Sequence, residues 1–193
     1  MRDPLAVRVR PGAAGDLEGI LAIYNPYVTG SAATFETDPL RPSDRAEWLA
    51  AHLAGGRHRL FVAETADAQM VGWATTSPFR PRAGYGTTVE SSVYCRAGSE
   101  GRGIGTRLYA ALFRAIAAED LERIVAGIAL PNPASVALHR RFGFREIGVF
   151  TRVGRKFGRY WDVAWFERPA RLDAVQAATP AAAYSIEETS AFM

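Results

Sequence analysis

Three glycines at alternate positions, Gly101, Gly103 and Gly105, with Arg102 set among them, stand inside the stretch SEGRGIGTRLYAALF, Ser99 to Phe113. The stretch leads out of a β-rich run into a helical one, where Leu108, Leu112 and Ile116 recur every four residues. N–H groups at such a helix start lack partners within the helix and point along the positive end of its dipole, which is an arrangement that binds phosphate. Glycines let an anion approach the backbone, and Arg102 and Arg107 can add charge. The alternative is plain turn chemistry ahead of a helix. The spacing fits neither the G-x-x-x-x-G-K-S/T loop for nucleoside triphosphates nor the G-x-G-x-x-G loop for dinucleotides. A second constellation lies in LPNPASVALHRRFGF, where Asn132 reads as an N-cap, Pro133 as the first helical residue and Gly143 as the stop. Ser135 and His139 share a face of that short helix, and His139 can take up or give a proton near neutral pH.

The elements that must hold these residues alternate along the chain. LAVRVR reads as a first strand, and GDLEGILAIYNPYV places Leu17, Ile20, Leu21 and Tyr24 on one helical face. A second helix is predicted from about Ser43 or Asp44, carrying Trp48, Leu49 and Leu53 and stopping at Gly55-Gly56. HRLFVAE and QMVGWATT are β-rich runs around the turn TADA, and GTTVESSVYC leads into the glycine loop. ERIVAGIAL follows as a buried strand, then the short helix, then strands IGVFTRVG and YWDVAWFE around RKFG. Helices alternating with strands predict an α/β domain with a mixed sheet and helices on both faces, spanning residues 1–170. Beyond Pro169 the sequence turns Ala-, Thr- and Ser-rich without an apolar stripe, so residues 171–193 are expected to form a flexible tail. Trp48, Trp73 and Trp165 read as core, His52 and His58 as surface.

Composition narrows the function classes. With 48% hydrophobic and 22% charged residues the chain reads as an ordinary globular protein, not a disordered or fibrous one. No apolar run reaches the roughly 20 residues of a membrane span, and MRDPLAVRVRPG lacks the pattern of a secretory leader, so the expected location is cytoplasmic, away from membranes. A lone cysteine, Cys95, rules out an intrachain disulfide, and three scattered histidines give no zinc pattern, so no metal is expected. The net charge of +3 is spread among 20 acidic residues without a basic run, which argues against a nucleic-acid partner.

The run E-G-R-G-I-G before a helix, followed by N-P-A-S-V-A-L-H-R-R-F-G-F, resembles the acetyl-CoA site of the GNAT superfamily of N-acetyltransferases. There the loop reads Gln/Arg-x-x-Gly-x-Gly/Ala and the second motif Asn-x-x-Ala/Ser-x-x-Leu-Tyr-x-x-x-Gly-Phe. Glu100 departs from the first pattern and His139 replaces the tyrosine of the second. With IYNPYVTGSAATFETDP, SPFRPRAGYGTTVESSVY and GRYWDVAWFE, the chain resembles the phosphinothricin N-acetyltransferase branch, which also acetylates methionine sulfoximine and methionine sulfone and carries histidine at that position. The likeness runs from about Val7 to Pro169.

This resemblance implies a GNAT fold, a single domain whose central sheet is mixed, mostly antiparallel and twisted. It implies acetyl-CoA as co-substrate, held by the backbone of Val93, Tyr94 and Cys95, by the loop from Gly101 through Arg102, Gly103, Ile104, Gly105 and Thr106, and by Asn132 and Ser135. Catalysis is expected from Glu90 as base, since an α-ammonium with a pKa of about 8 or above must lose a proton before it can attack. His139 is expected to assist as base or to protonate the departing thiolate, and a backbone N–H near Tyr94 to stabilise the oxyanion. Phe35, Arg80, Arg82 and Tyr85, with Glu90, are expected to bind a small amino-acid-like substrate. Relatives commonly dimerise, so a homodimer is expected. Other readings are acetylation of a protein N-terminus or another amine, and a CoA-binding regulatory module without catalysis.

Overall fold

The computed structural model describes residues 7–171. The expected tail, Arg171 aside, and the first two residues of LAVRVR lie outside them. Seven strands form one sheet in the order β1-β2-β3-β4-β5-β7-β6. These are β1 (Arg8–Pro11), β2 (Leu60–Glu64), β3 (Met70–Pro78), β4 (Thr88–Cys95), β5 (Arg123–Ala129), β6 (Arg145–Lys156) and β7 (Arg159–Pro169). Every neighbouring pair is antiparallel except β4 and β5, which are parallel. The sheet is therefore mixed and mostly antiparallel, as the sequence implied.

Helices cover both faces because successive strand residues point to opposite sides. On one face lies α3 (Ile104–Ile116), whose Ile104, Leu108, Leu112 and Ile116 are buried against Val89, Ile124, Ala126 and Phe166. On the other lie α1 (Leu17–Gly30) and α2 (Pro42–Leu53), where Ile20, Ile23, Tyr24, Val28 and Leu49 meet Leu60, Val62 and Trp73. The α2 helix begins slightly earlier than its sequence indicates. Pro42 takes the first helical position, with its ring presetting φ, and the Asp44 carboxylate accepts the Arg41 N–H at 2.8 Å. Gly55 and Gly56 follow with φ of +90° and +75°, the left-handed stop that the sequence indicated. The short helix α4 (Pro133–Arg141) is capped as expected, with the Asn132 side chain accepting the Ser135 N–H at 3.1 Å.

One expectation is overturned. His52 is not a surface residue; it is 4% exposed, with Nδ1 2.6 Å from the Trp48 carbonyl oxygen and Nε2 3.0 Å from Ser77 Oγ. Of the three tryptophans read as core, Trp73 alone is fully buried, while Trp48 and Trp165 are half-buried. Trp48 stacks on His52 at 4.4 Å and helps wall a cavity described below. Strand β6 leaves Ile147, Phe150 and Val153 more than half or nearly half exposed along the free edge of the sheet, and Phe157 in the turn after it is likewise exposed.

Candidate active site

Strands β4 and β5 pair over three residues only, Thr88 to Glu90 against Arg123 to Val125. Beyond that the two strands part, although β4 continues to Cys95 and β5 to Ala129. A cavity of about 500 Å³ opens in the gap. Ser91 to Cys95 line one side and Gly127 to Ala129 the other, with the glycine loop, the start of α3 and one face of α4 closing the end. From Ser91 onward β4 has a strand partner on one edge only, so alternate backbone groups there are free to meet a bound chain.

The loop has the geometry its glycines allow. Gly101 and Gly103 take φ of +75° and +71°, left-handed values that cost other residues strain, and Gly103 caps α3. Gly101, Gly103, Ile104, Gly105 and Thr106 all line the cavity, so the unpaired N–H groups of the α3 start meet it. Arg102 is exposed beside them and does not line it, and Arg107 is turned away, donating to the Val7 carbonyl at 3.1 Å. Glu100 folds back on its own turn, where its carboxylate accepts the Gly98 N–H at 3.1 Å. Cys95 also lines the cavity, but burial first and the Glu100 charge second push its thiol up to about 11, so it is protonated at neutral pH and is no standing nucleophile.

His139 is 3% exposed in the wall of this cavity. Its Nδ1 lies 2.8 Å from the Ser135 carbonyl oxygen, which can only accept, so the ring proton sits on Nδ1. Nε2, 2.9 Å from the Tyr109 hydroxyl, therefore accepts from it. Burial pushes the His139 pKa down, so the ring is neutral at pH 7. Tyr109 belongs to the cavity wall as well, with its hydroxyl 3.5 Å from Ser91 Oγ.

Glu90, Ser92 and Tyr94 alternate along β4 and share the opposite face of the sheet. They line a second cavity of about 360 Å³, walled by Tyr24 of α1, Arg45 and Trp48 of α2, and Trp73, Thr75 and Ser77 of β3. Burial pushes the Glu90 carboxyl above its usual range, opposed by the positive charge of Arg80. Ser92 and Tyr94 line both cavities, which therefore meet at the middle of β4. The Tyr94 ring is packed against Trp73 at 4.8 Å and Tyr24 at 5.0 Å, its hydroxyl donating to the Ala33 carbonyl at 3.3 Å. Beside it the Tyr27 hydroxyl donates to the Cys95 carbonyl at 2.6 Å and ties α1 to β4.

Thus Val93, Tyr94, Cys95, the loop glycines, Asn132, Ser135 and His139 gather at the first cavity, and Glu90 and Tyr94 at the second. Phe35, Arg80, Arg82 and Tyr85 line neither. The Phe35 ring lies over Gly154, and Arg80 lies over the Phe79 ring at 4.9 Å on an exposed loop that also carries Arg82 and Tyr85. Arg45, Ser77 and Tyr109 were not singled out from the sequence. Ser77 is placed by the cross-strand register that sets it directly opposite Glu90, which only the folded sheet shows; Arg45 had no sequence signal beyond its place on α2. Among the described residues no cluster of three His, Cys, Asp or Glu side chains could hold a metal, and no helix is long and apolar enough to cross a membrane.

A parted pair of parallel strands, with a helix N-terminus at one end and two cavities meeting across the sheet, is the architecture of an acetyl-transferring enzyme. The model of the acetyltransferase (GNAT) domain matches residues 12–165, and the chain belongs to that family. It is 54% identical over 164 residues to the phosphinothricin N-acetyltransferase of Streptomyces coelicolor, covering 84% of this chain and 96% of that one. It is 37% identical to the L-methionine sulfoximine/L-methionine sulfone acetyltransferase of Pseudomonas paraeruginosa, over 84% of this chain and 94% of the other. The crystal structure of a GNAT superfamily phosphinothricin acetyltransferase from Sinorhizobium meliloti in complex with AcCoA superposes with a TM-score of 0.81 at 31% identity, covering 91% of this chain and 93% of that chain.

Proposed function

We propose that the protein moves acetyl from acetyl-CoA to the α-amine of a small amino acid or analogue, of the phosphinothricin, methionine sulfoximine or methionine sulfone type, by direct attack. The observation that carries this reading is the meeting of the two cavities at Ser92 and Tyr94, with a half-buried carboxylate, Glu90, on the acceptor side. The residues present suit acetyl-CoA: the N–H groups at the α3 start for its pyrophosphate, with exposed Arg102 beside them, and the open edge of β4 for its pantetheine arm. Bound there, it supplies an activated acetyl thioester.

Glu90 takes one proton from the substrate ammonium and releases it to solvent; its raised pKa brings it nearer the working pH, where a base is most effective. A backbone N–H near Tyr94 stabilises the oxyanion as the amine attacks. The nitrogen then sheds a second proton, which must reach the departing sulfur. The Tyr109 oxygen is suited to take that proton while its own passes to His139 Nε2, and the reverse transfer then delivers a proton from the Tyr109 hydroxyl to the thiolate. His139 thus serves through Tyr109. Arg80, Arg82 and Tyr85 on their loop, and Phe35, receive the far end of the substrate, where guanidinium groups suit a phosphinate or sulfone.

We assign the exposed apolar edge of β6 to a homodimer contact, and place the enzyme in the cytoplasm. The test is thiol release from acetyl-CoA with phosphinothricin, methionine sulfoximine, methionine sulfone, ordinary amino acids and short peptides. Turnover of the first three is expected. Turnover of peptides alone would assign the enzyme to protein N-termini, and stoichiometric acetyl-CoA binding without turnover would make it a regulatory module.

A further inference from the structure

The acceptor cavity contains a cation that the reaction described above does not use. Arg45 lines it from α2, with its guanidinium 5.6 Å from the Tyr24 ring centre and 5.5 Å from that of Trp48. Those two aromatic faces hold the head in place. One Nη2 hydrogen bond of 3.3 Å goes to Glu36, whose carboxylate is 44% exposed. Such an ion pair, open to water, is weak and readily exchanged, and it leaves most of the planar fork of N–H donors unspent.

Rest this on the reading that Glu90 deprotonates the acceptor amine. In a free amino acid the carbon bearing that amine also bears a carboxylate, so the carboxylate must enter the same cavity. The remaining walls include Ile20, Leu21, Trp73 and Tyr94, against which an unpaired carboxylate would be costly to desolvate. Among the described residues Arg45 is the one cationic residue lining the cavity; Arg80 and Arg82 lie outside it. We propose that Arg45 is the anchor for the α-carboxylate of the acceptor, forming with Glu90 a zwitterion clamp that selects free amino acids over simple amines and over the N-termini of peptides. Glu36 holds the guanidinium until the substrate carboxylate replaces it.

The test compares methionine sulfone with its decarboxylated amine as acceptors for the full-length enzyme, reading kcat and KM by thiol release. A charge-assisted contact of this kind corresponds to about a 10- to 100-fold effect. Wild type should prefer the acid by at least that factor. Arg45→Gln should raise KM for the acid by about 10- to 100-fold, leave the amine nearly unchanged and so collapse the preference, and Arg45→Lys should restore part of it. Glu36→Gln, which leaves the clamp intact, should lower KM for the acid alone. Equal losses on both acceptors in Arg45→Gln, or no wild-type preference for the acid, would overturn the proposal and leave Arg45 as packing for α2. If wild type acetylates neither acceptor but does acetylate peptides, the reading under Proposed function falls and this one falls with it.

Discussion

Replacing Glu90 by glutamine separates the chemistry of the site from its stability. Burial raises the Glu90 pKa, so ionisation is harder in the folded chain than in the unfolded one. For such a group the stabilising contribution is complete below the ordinary glutamate value of 4.5 and is lost as pH rises through the higher folded value. Wherever it is ionised the carboxylate is therefore a burden on the fold, and Glu90→Gln should melt no lower than wild type at pH 7. Its activity should fall by about 100-fold or more, the usual worth of a positioned base. The residue of activity has a signature. An α-ammonium with a pKa of about 8 or above is mostly protonated at pH 7, so a variant lacking the base should gain close to tenfold for each pH unit until the substrate amine has titrated, and then level off. Wild type should instead lose activity on the acid side as Glu90 becomes protonated. Steady-state kcat/KM from pH 5 to 9, with melting curves on the same samples, reads all of this. A variant within threefold of wild type at pH 7, or one with an unchanged pH profile, would refute the assignment of Glu90 as base.

Three further outcomes follow from the packing. Lys156 is 5% exposed and donates from Nζ to the carbonyl oxygens of Ser31 at 2.8 Å and Thr34 at 2.7 Å, beyond the end of α1; Lys156→Met leaves these acceptors unpaired and should lower stability by about 3 kcal/mol in chemical denaturation. A methyl group added at Gly154 would collide with the Phe35 ring, so Gly154→Ala should push that half-exposed ring aside and raise substrate KM several-fold with little change in melting temperature; unchanged KM would remove Phe35 from the substrate's path. Burial lowers the pKa values of His52 and His139, so their contribution to stability is present above the unfolded value of about 6.5 and is lost as pH falls below it; His52→Gln should flatten the decline of melting temperature between pH 6.5 and 5, and an unaltered slope would show that its ring titrates alike in the folded and unfolded chain.

The unevenness of what could be read from the chain follows from which interactions are local. The α3 stripe of Leu108, Leu112 and Ile116, the Asn132 cap and the glycine stops are set by neighbours a few residues away, and each stands where the sequence placed it. The period of two along VESSVY was equally local, and it puts Glu90, Ser92 and Tyr94 on one face, so the carboxylate's direction was available in the spacing itself. His52 was not legible because its burial depends on Ser77, which reaches it from β3, and on Trp48 folding over it; a histidine on a helix carries no mark of either. Arg45 is the same problem with the charge reversed in effect. An arginine in an amphipathic helix ordinarily ends in solvent, and only the aromatic pair from α1 and α2 turns it toward the face that carries Glu90. The parting of β4 from β5 is less legible still, because both strands keep β-rich sequence past the point where they separate. What separates them is backbone geometry, and the free edge it leaves on β4 is the feature on which the proposed seat of the pantetheine arm rests.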